Sequence, residues 1–284
     1  MINLLSANFS RLKKNKIFWI GIGAMFIIGL LMTVTRYQDS LRNNNIQVSV
    51  DNIFFGYTVL IGAFCAVLCS LFIGTEYSDG TIRNKLVVGH NRSTIYLSNL
   101  IISTVAGLLT SLAFIITVSA VGIPLLGWFQ ADIKTVLLFF ISSIMLIIAF
   151  TSIFTLISMS NQNKAIVAVI CILSFFLLFF LAAYIDKRLT APEFYNAYTF
   201  TDNAGNMVSE SMPTPDYSMP NPDYLDGTLR DIYTFFYDFL PTGQAMQLSN
   251  MSATHLWQMP LYSLLITIAA TLGGMLYFRK KDLK

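Results

Sequence analysis

The strongest constraint on this chain is where its charges are missing. Ile17–Thr35, Ile53–Gly74, Leu97–Val121, Thr135–Ser158, Ala165–Tyr184 and Trp257–Phe278 contain no Asp, Glu, Lys, Arg or His. Each is roughly the ~20 residues that a helix rising 1.5 Å per residue needs to cross ~30 Å of hydrocarbon. Across 284 residues, 55% are hydrophobic and 12% charged, whereas a soluble domain carries about 25% charged residues. No water-soluble fold of this size hides so much apolar surface. The expected fold class is therefore all-α integral membrane, with six transmembrane helices. The first segment follows Arg11, Lys13, Lys14 and Lys16 but is too long for a signal-peptide core and has no small-residue cleavage site after it, so it reads as an uncleaved anchor.

Orientation follows from the connections. Segments 1–16, 75–96, 159–164 and 279–284 hold 12 Lys/Arg against Glu76, Asp79 and Asp282, while the opposite side holds six Lys/Arg and the other 12 acids. The positive-inside rule puts the first set, with both termini, in the cytoplasm. The net charge of +3 is thus a topological signal, and no nucleic-acid partner is expected. Cys65, Cys69 and Cys171 all lie within apolar segments and read as small packing residues, without the ligand spacing of a metal site.

Four parts are expected: an interfacial segment 1–16, transmembrane helices 1–5 over 17–184, an external segment 185–256, and the sixth helix with a basic end over 257–284. In the first, Leu5, Phe9 and Leu12 recur at helical spacing between polar residues, the pattern of an amphipathic helix lying in the membrane interface. In loop 75–96, Ser78 or Asp79 can cap a short helix that Gly89 ends, and Ser93 can cap the third span. Ile82 and Leu86 are one turn apart on that short helix, with Arg83 and Lys85 pointing elsewhere, so it would present an apolar knob flanked by positive charge. The external segment has five prolines before Gly227 and reads as irregular or only partly ordered there. After it, Leu229, Ile232, Phe235, Phe236 and Phe239 keep helical spacing until Leu240-Pro-Thr-Gly243 breaks the pattern, and a second short helix over 242–248 would complete a hairpin dipping into the outer leaflet. Asp216, Asp223 and Asp226 lie near Tyr217 and Tyr224, an acidic, aromatic surface that could attract a cationic peptide or Ca²⁺, but the spacing is not that of an EF-hand loop and no metal site is expected.

Candidate chemistry is sparse. The spans carry no ionisable residue at depth, which disfavours proton or ion coupling. The chain has no phosphate-binding loop, His-Glu-x-x-His pair or nucleophile elbow, so it is not expected to be an enzyme, and any work draws on a partner's energy. Ser143, Thr151, Thr155 and Ser158 share roughly one face of the fourth span and form a possible translocation path; the alternative, which we favour, is that they are polar glue between helices.

The pattern Glu76-x3-Gly80-Thr81-Ile82-Arg83-x-Lys85-Leu86-x2-Gly89-x2-Arg92-x2-Ile95-Tyr96 resembles the first cytoplasmic loop of ABC-2 type permeases, the membrane subunits of one class of bacterial ATP-binding cassette exporters. Six spans, a basic amphipathic N-terminus, Leu240-Pro-Thr-Gly-Gln-Ala245 and the terminal Phe278-Arg-Lys-Lys-Asp-Leu283 agree with it. The resemblance implies that Asp79–Val88 forms a coupling helix docked on a separate ATPase. Glu76, Asp79, Gly80, Thr81, Ile82, Arg83, Lys85, Leu86, Gly89 and Arg92 would be the coupling residues, with Ile82 and Leu86 as the apolar contacts. It also implies ATP and Mg²⁺ on the partner rather than on this chain, two ATPase subunits, a second identical or different permease chain, and a place in the bacterial plasma membrane. Stand-alone permeases of this kind resemble those conferring immunity to bacitracin or lantibiotics, so export of a peptide or amphiphilic compound is the expected function. The alternative is a membrane sensor or scaffold that signals through an ATPase without moving a solute.

Overall fold

The structure is a computed structural model that describes residues 1–42, 49–194, 197–201, 207–211 and 220–281. Helix α1 (Ile2–Lys13) turns at Asn15, whose side-chain oxygen accepts the Ile17 and Phe18 amides at 2.8 and 3.3 Å, into α2 (Lys16–Arg42). A short α3 (Asp51–Phe54) precedes α4 (Tyr57–Ser78), and α5 (Thr81–Val87) separates α4 from α6 (Arg92–Thr117). Helix α6 continues through a π-helical turn, Val118–Gly122, into α7 (Ile123–Leu126). Then follow α8 (Ile133–Ser160) and α9 (Lys164–Leu189). The segment after α9 holds β1 (Ala197–Thr201), β2 (Met207–Ser211), α10 (Gly227–Phe239) and α11 (Pro241–Ser249), and α12 (Gln258–Lys280) follows it.

Six helical stretches are long and apolar enough to span a membrane: Lys16–Arg42, Asp51–Ser78, Arg92–Leu126, Ile133–Ser160, Lys164–Leu189 and Gln258–Lys280. All outrun at one or both ends the apolar blocks read from sequence, because a spanning helix continues into the headgroup region, where polar side chains find partners. One consequence matters below: α4 carries Glu76 inside its last turn, whereas the sequence alone left that residue in the loop.

Helix α8 is the axis of the bundle, packed by α4, α6, α9, α11 and α12. Its buried Ser142, Ser143, Ala149, Thr151, Ser152 and Thr155 let neighbouring backbones approach closely. Helices α9 and α12 stand at the periphery and leave Leu173, Leu177, Phe180, Leu265 and Leu272 exposed, as helices bathed in hydrocarbon do.

Helix α1 turns Leu4, Asn8 and Leu12 inward onto α6, where a polar residue finds partners, and leaves Phe9 exposed and Leu5 half-buried. One local expectation needs correction. Ser78 and Asp79 do not cap α5, and Ser93 does not cap α6: the positions before these helices are Gly80 and Asn91. The stretch before Gly227 is partly ordered. β1 and β2 form an antiparallel ribbon with Ala197 opposite Ser211 and Thr201 opposite Met207, consistent with the β-prone run Tyr198-Thr199-Phe200-Thr201. Asp216 and Tyr217 lie outside the described residues.

The hairpin between α9 and α12 is present. In α11, Pro241 takes a first-turn position, where its missing N–H is no loss, and a β-carbon on Gly243 would run into the Tyr237 carbonyl oxygen. These contacts give the Leu240-Pro-Thr-Gly243 sequence its physical reason. Helix α11 is buried among α4, α8 and α9, while α10 keeps Leu229, Ile232, Phe235 and Phe236 about half exposed. Gln247 donates to Asp238 Oδ1 at 2.9 Å, His255 Nδ1 lies 2.9 Å from Asp238 Oδ2, and Ser263 on α12 donates to Gln244 Oε1 at 2.7 Å, which ties the hairpin to the last helix.

Candidate functional site: the basic end of the bundle

Glu76 is the centre of this end. It is 1% exposed, and a buried carboxylate is tolerated only when paired and hydrogen-bonded. Its Oε1 is paired with both the Arg11 guanidinium from α1 and the Lys85 ammonium from α5. Its Oε2 accepts the Asn99 side-chain amide of α6 at 2.7 Å. A second ring of bonds closes the cluster: Asn8 donates to Asn99 Oδ1 and Ser98 Oγ, both at 2.9 Å, and accepts from Lys85 Nζ at 3.0 Å. Arg11 also donates to the Phe72 carbonyl at 3.1 Å and lies 3.7 Å over the Phe72 ring. Burial pulls the Lys85 ammonium below its ordinary pKa, and the Glu76 carboxylate opposes that shift.

The geometry of α5 is set by two glycines. Gly80 precedes the helix with φ +66° and Gly89 follows it with φ +95°, both in the left-handed region that glycine enters without steric cost. At the C-terminal end the His90 amide reaches the Lys85 carbonyl at 3.1 Å and the Gly89 amide reaches Leu86 at 2.9 Å, the paired bonds of a Schellman stop. Gly89 therefore ends the helix as its sequence predicts. Thr81 donates its hydroxyl to the Glu76 carbonyl at 3.0 Å, which fixes the corner between α4 and α5.

The apolar pair expected to face outward faces inward. Ile82 is 1% exposed and belongs to the protein's own core, and Leu86 packs against that core. The helix is anchored by this face, so its outer face is made by Arg83, Asn84, Val87 and Val88. Val87 and Val88 are 82% and 76% exposed. Asp79 is exposed at the end of α4. Arg92 is turned away from the surface helix: it donates to the carbonyls of Phe278 and Arg279 at 3.0 and 3.2 Å and to that of Lys281. Lys281 in turn donates to the Met159 carbonyl at 3.0 Å and to the Tyr77 hydroxyl at 3.3 Å. The end of α12 is thereby clamped to α4, α6 and α8.

The four α8 hydroxyls expected as a possible path, Ser143, Thr151, Thr155 and Ser158, are sealed inside the chain, each 0% exposed. Ser143 accepts the Tyr57 hydroxyl at 2.7 Å, Thr151 lies 2.9 Å from Thr104 Oγ1, and Ser158 lies 3.7 Å from Cys171 Sγ. Thr155 Oγ1 is buried without a hydrogen-bond partner. Their surroundings are those of inter-helix contacts. Among the described residues no three His, Cys, Asp or Glu side chains gather as metal ligands.

Sequence reasoning placed none of Asn8, Arg11, Asn99 or Lys281 in the candidate site. The available signal was polar residues inside apolar stripes: Asn8 stands one turn from both Leu4 and Leu12, and Asn99 interrupts an apolar run.

Six spans around a buried helical axis, with a helix-bearing loop at the basic end, define a polytopic membrane protein. A family model described as ABC-2 family transporter protein matches residues 4–198. The chain belongs to that family, the membrane components of ATP-binding cassette transporters. No curated protein matches it.

Proposed function

We propose that this chain is the permease subunit of an ATP-driven exporter of a peptide or amphiphilic compound. In this reading the basic end is cytoplasmic, and a separate ATPase docks on the exposed face of α5. One observation carries the reading: α5 is held from behind by Ile82 and the Glu76 cluster, stopped at both ends by left-handed glycines, and offers Val87 and Val88 with Arg83 outward. Two exposed valines beside a cation, on a helix that cannot swing freely, suit a partner groove better than they suit water. The coupling residues divide accordingly. Arg83, Val87 and Val88 make the contact, while Glu76, Gly80, Thr81, Ile82, Lys85, Leu86 and Gly89 hold the helix in place.

Two such chains with two ATPases form the working unit, and ATP favours one arrangement of the pair over the other by binding it better. Because Ser143, Thr151, Thr155 and Ser158 are buried within one chain, the solute path runs between chains rather than along α8. The amphipathic helix α10 supports an amphiphilic cargo: it exposes Phe235 and Phe236 at the outer end of the bundle.

Reconstitution with the co-purified ATPase tests this. ATP-dependent movement of an amphiphilic peptide across sealed vesicles supports export. Ligand-dependent ATPase activity with no solute movement would replace it with the sensor reading.

A further inference from the structure

We propose that Glu76 is a positioning residue that clamps the interfacial helix α1 to α5, so that the two act on spans α4 and α6 as one cooperative unit. The inference rests on the reading of α5 as the ATPase contact and extends it to α1.

The two helices are far apart in sequence and are not packed along one another: α1 lies on α6, and α5 lies against α4 and α6. What joins them is polar and passes through one buried side chain. Glu76 Oε1 holds Arg11 of α1 and Lys85 of α5 together, and Lys85 also donates to Asn8 of α1 at 3.0 Å. The same carboxylate accepts from Asn99 on α6 at 2.7 Å, and its backbone carbonyl accepts from Thr81 at the start of α5 at 3.0 Å. One residue in the last turn of α4 therefore touches α1, α5 and α6 at once.

The composition of the cluster argues against a filler role. Two cations share one carboxylate oxygen, so the cluster holds more positive than negative charge and costs desolvation that apolar packing would avoid. Buried ionic groups of this kind are best attested where they fix a register between elements. Here the register is that of an interfacial helix relative to a surface helix. A push on Val87 and Val88 would reach α1 through Lys85 and Glu76, and would reach α4 through the helix that carries Glu76. Helix α1 in turn sits at the membrane surface, joined to α2 through the Asn15 turn, which gives the unit a lever on the first span.

The test is amide exchange on the full chain in lipid nanodiscs, read separately for residues 4–12 and 81–88. Glu76→Gln is expected to speed exchange about tenfold or more in both segments while α8 and α9 keep their protection. If that variant loosens the whole bundle, the partner variants decide. Lys85→Met, a change on α5, must loosen α1, and Arg11→Gln, a change on α1, must loosen α5. A residue with only a local structural role would not transmit across the gap, so effects confined to the mutated helix would overturn the clamp. The exchange experiment needs no ATPase. Failure to recover an ATPase partner would therefore count against the docking reading alone, and confined exchange effects against the clamp alone.

Discussion

Asn99 of α6 donates its side-chain amide to Glu76 Oε2 at 2.7 Å, and the same Asn99 accepts from Asn8 of α1 at 2.9 Å. One amide therefore serves both sides of a junction that no local sequence pattern announces. Asn99→Ala would leave a buried carboxylate oxygen and a buried amide without these partners, at a cost of about 1–3 kcal/mol. The expected outcome is a lower thermal midpoint, followed with a thiol-reactive dye that reports exposure of the buried Cys65, Cys69 and Cys171. An unchanged midpoint would mean that the cluster is not holding the junction.

Gly243→Ala should be costly for a different reason. The added carbon would meet the Tyr237 backbone carbonyl, which cannot move without displacing α10 from α11. The expected loss is about 1–3 kcal/mol, the range for overpacking, with weakening of the bond from Gln244 Nε2 to the Asp238 carbonyl, now 2.8 Å. The same dye assay measures it, and faster amide exchange confined to residues 237–249 locates it.

Helix α10 should lie in the outer membrane interface, because Leu229, Ile232, Phe235 and Phe236 are exposed together on a strongly amphipathic helix. Phe236→Trp is expected to be quenched by lipids brominated near the headgroup more strongly than by aqueous iodide. The reverse order would place α10 in water.

Helical spacing made most of this architecture legible in advance. Six spans, the α10–α11 hairpin and the Gly89 stop all follow from local periodicity and capping chemistry. What was not legible depends on tertiary neighbours. Ile82 and Leu86 looked like a free apolar knob because they are one turn apart, yet a two-turn helix must bury one face to stay folded, and the pair serves as that anchor. The outward Val87 and Val88 gave no periodic signal at all. Glu76, Asn8 and Asn99 are polar residues whose meaning exists only when α1, α4 and α6 meet.

Lys281 offers a pH readout. Burial lowers its pKa from the ordinary 10.5 to about 8. Between those values the unfolded chain holds a proton that the folded chain has released, so Lys281 makes stability rise with pH across that window. Below about 8 the ammonium is charged in both states and its desolvation cost is fully present. Carbon-13 NMR of reductively methylated protein should show one lysine titrating near 8 that disappears in Lys281→Met. No such resonance would contradict the burial of this side chain.

The central claim is that α5 presents Val87 and Val88 to an ATPase, and recovering the chain with its natural partners from native membranes in mild detergent tests it most directly. The account predicts a stoichiometric ATPase bound to the wild type and to Ile82→Val, and lost from Val87→Asp with Val88→Asp although that variant stays folded. An ATPase that survives the double aspartate substitution, or a wild-type chain that brings down no nucleotide-binding partner, would contradict it.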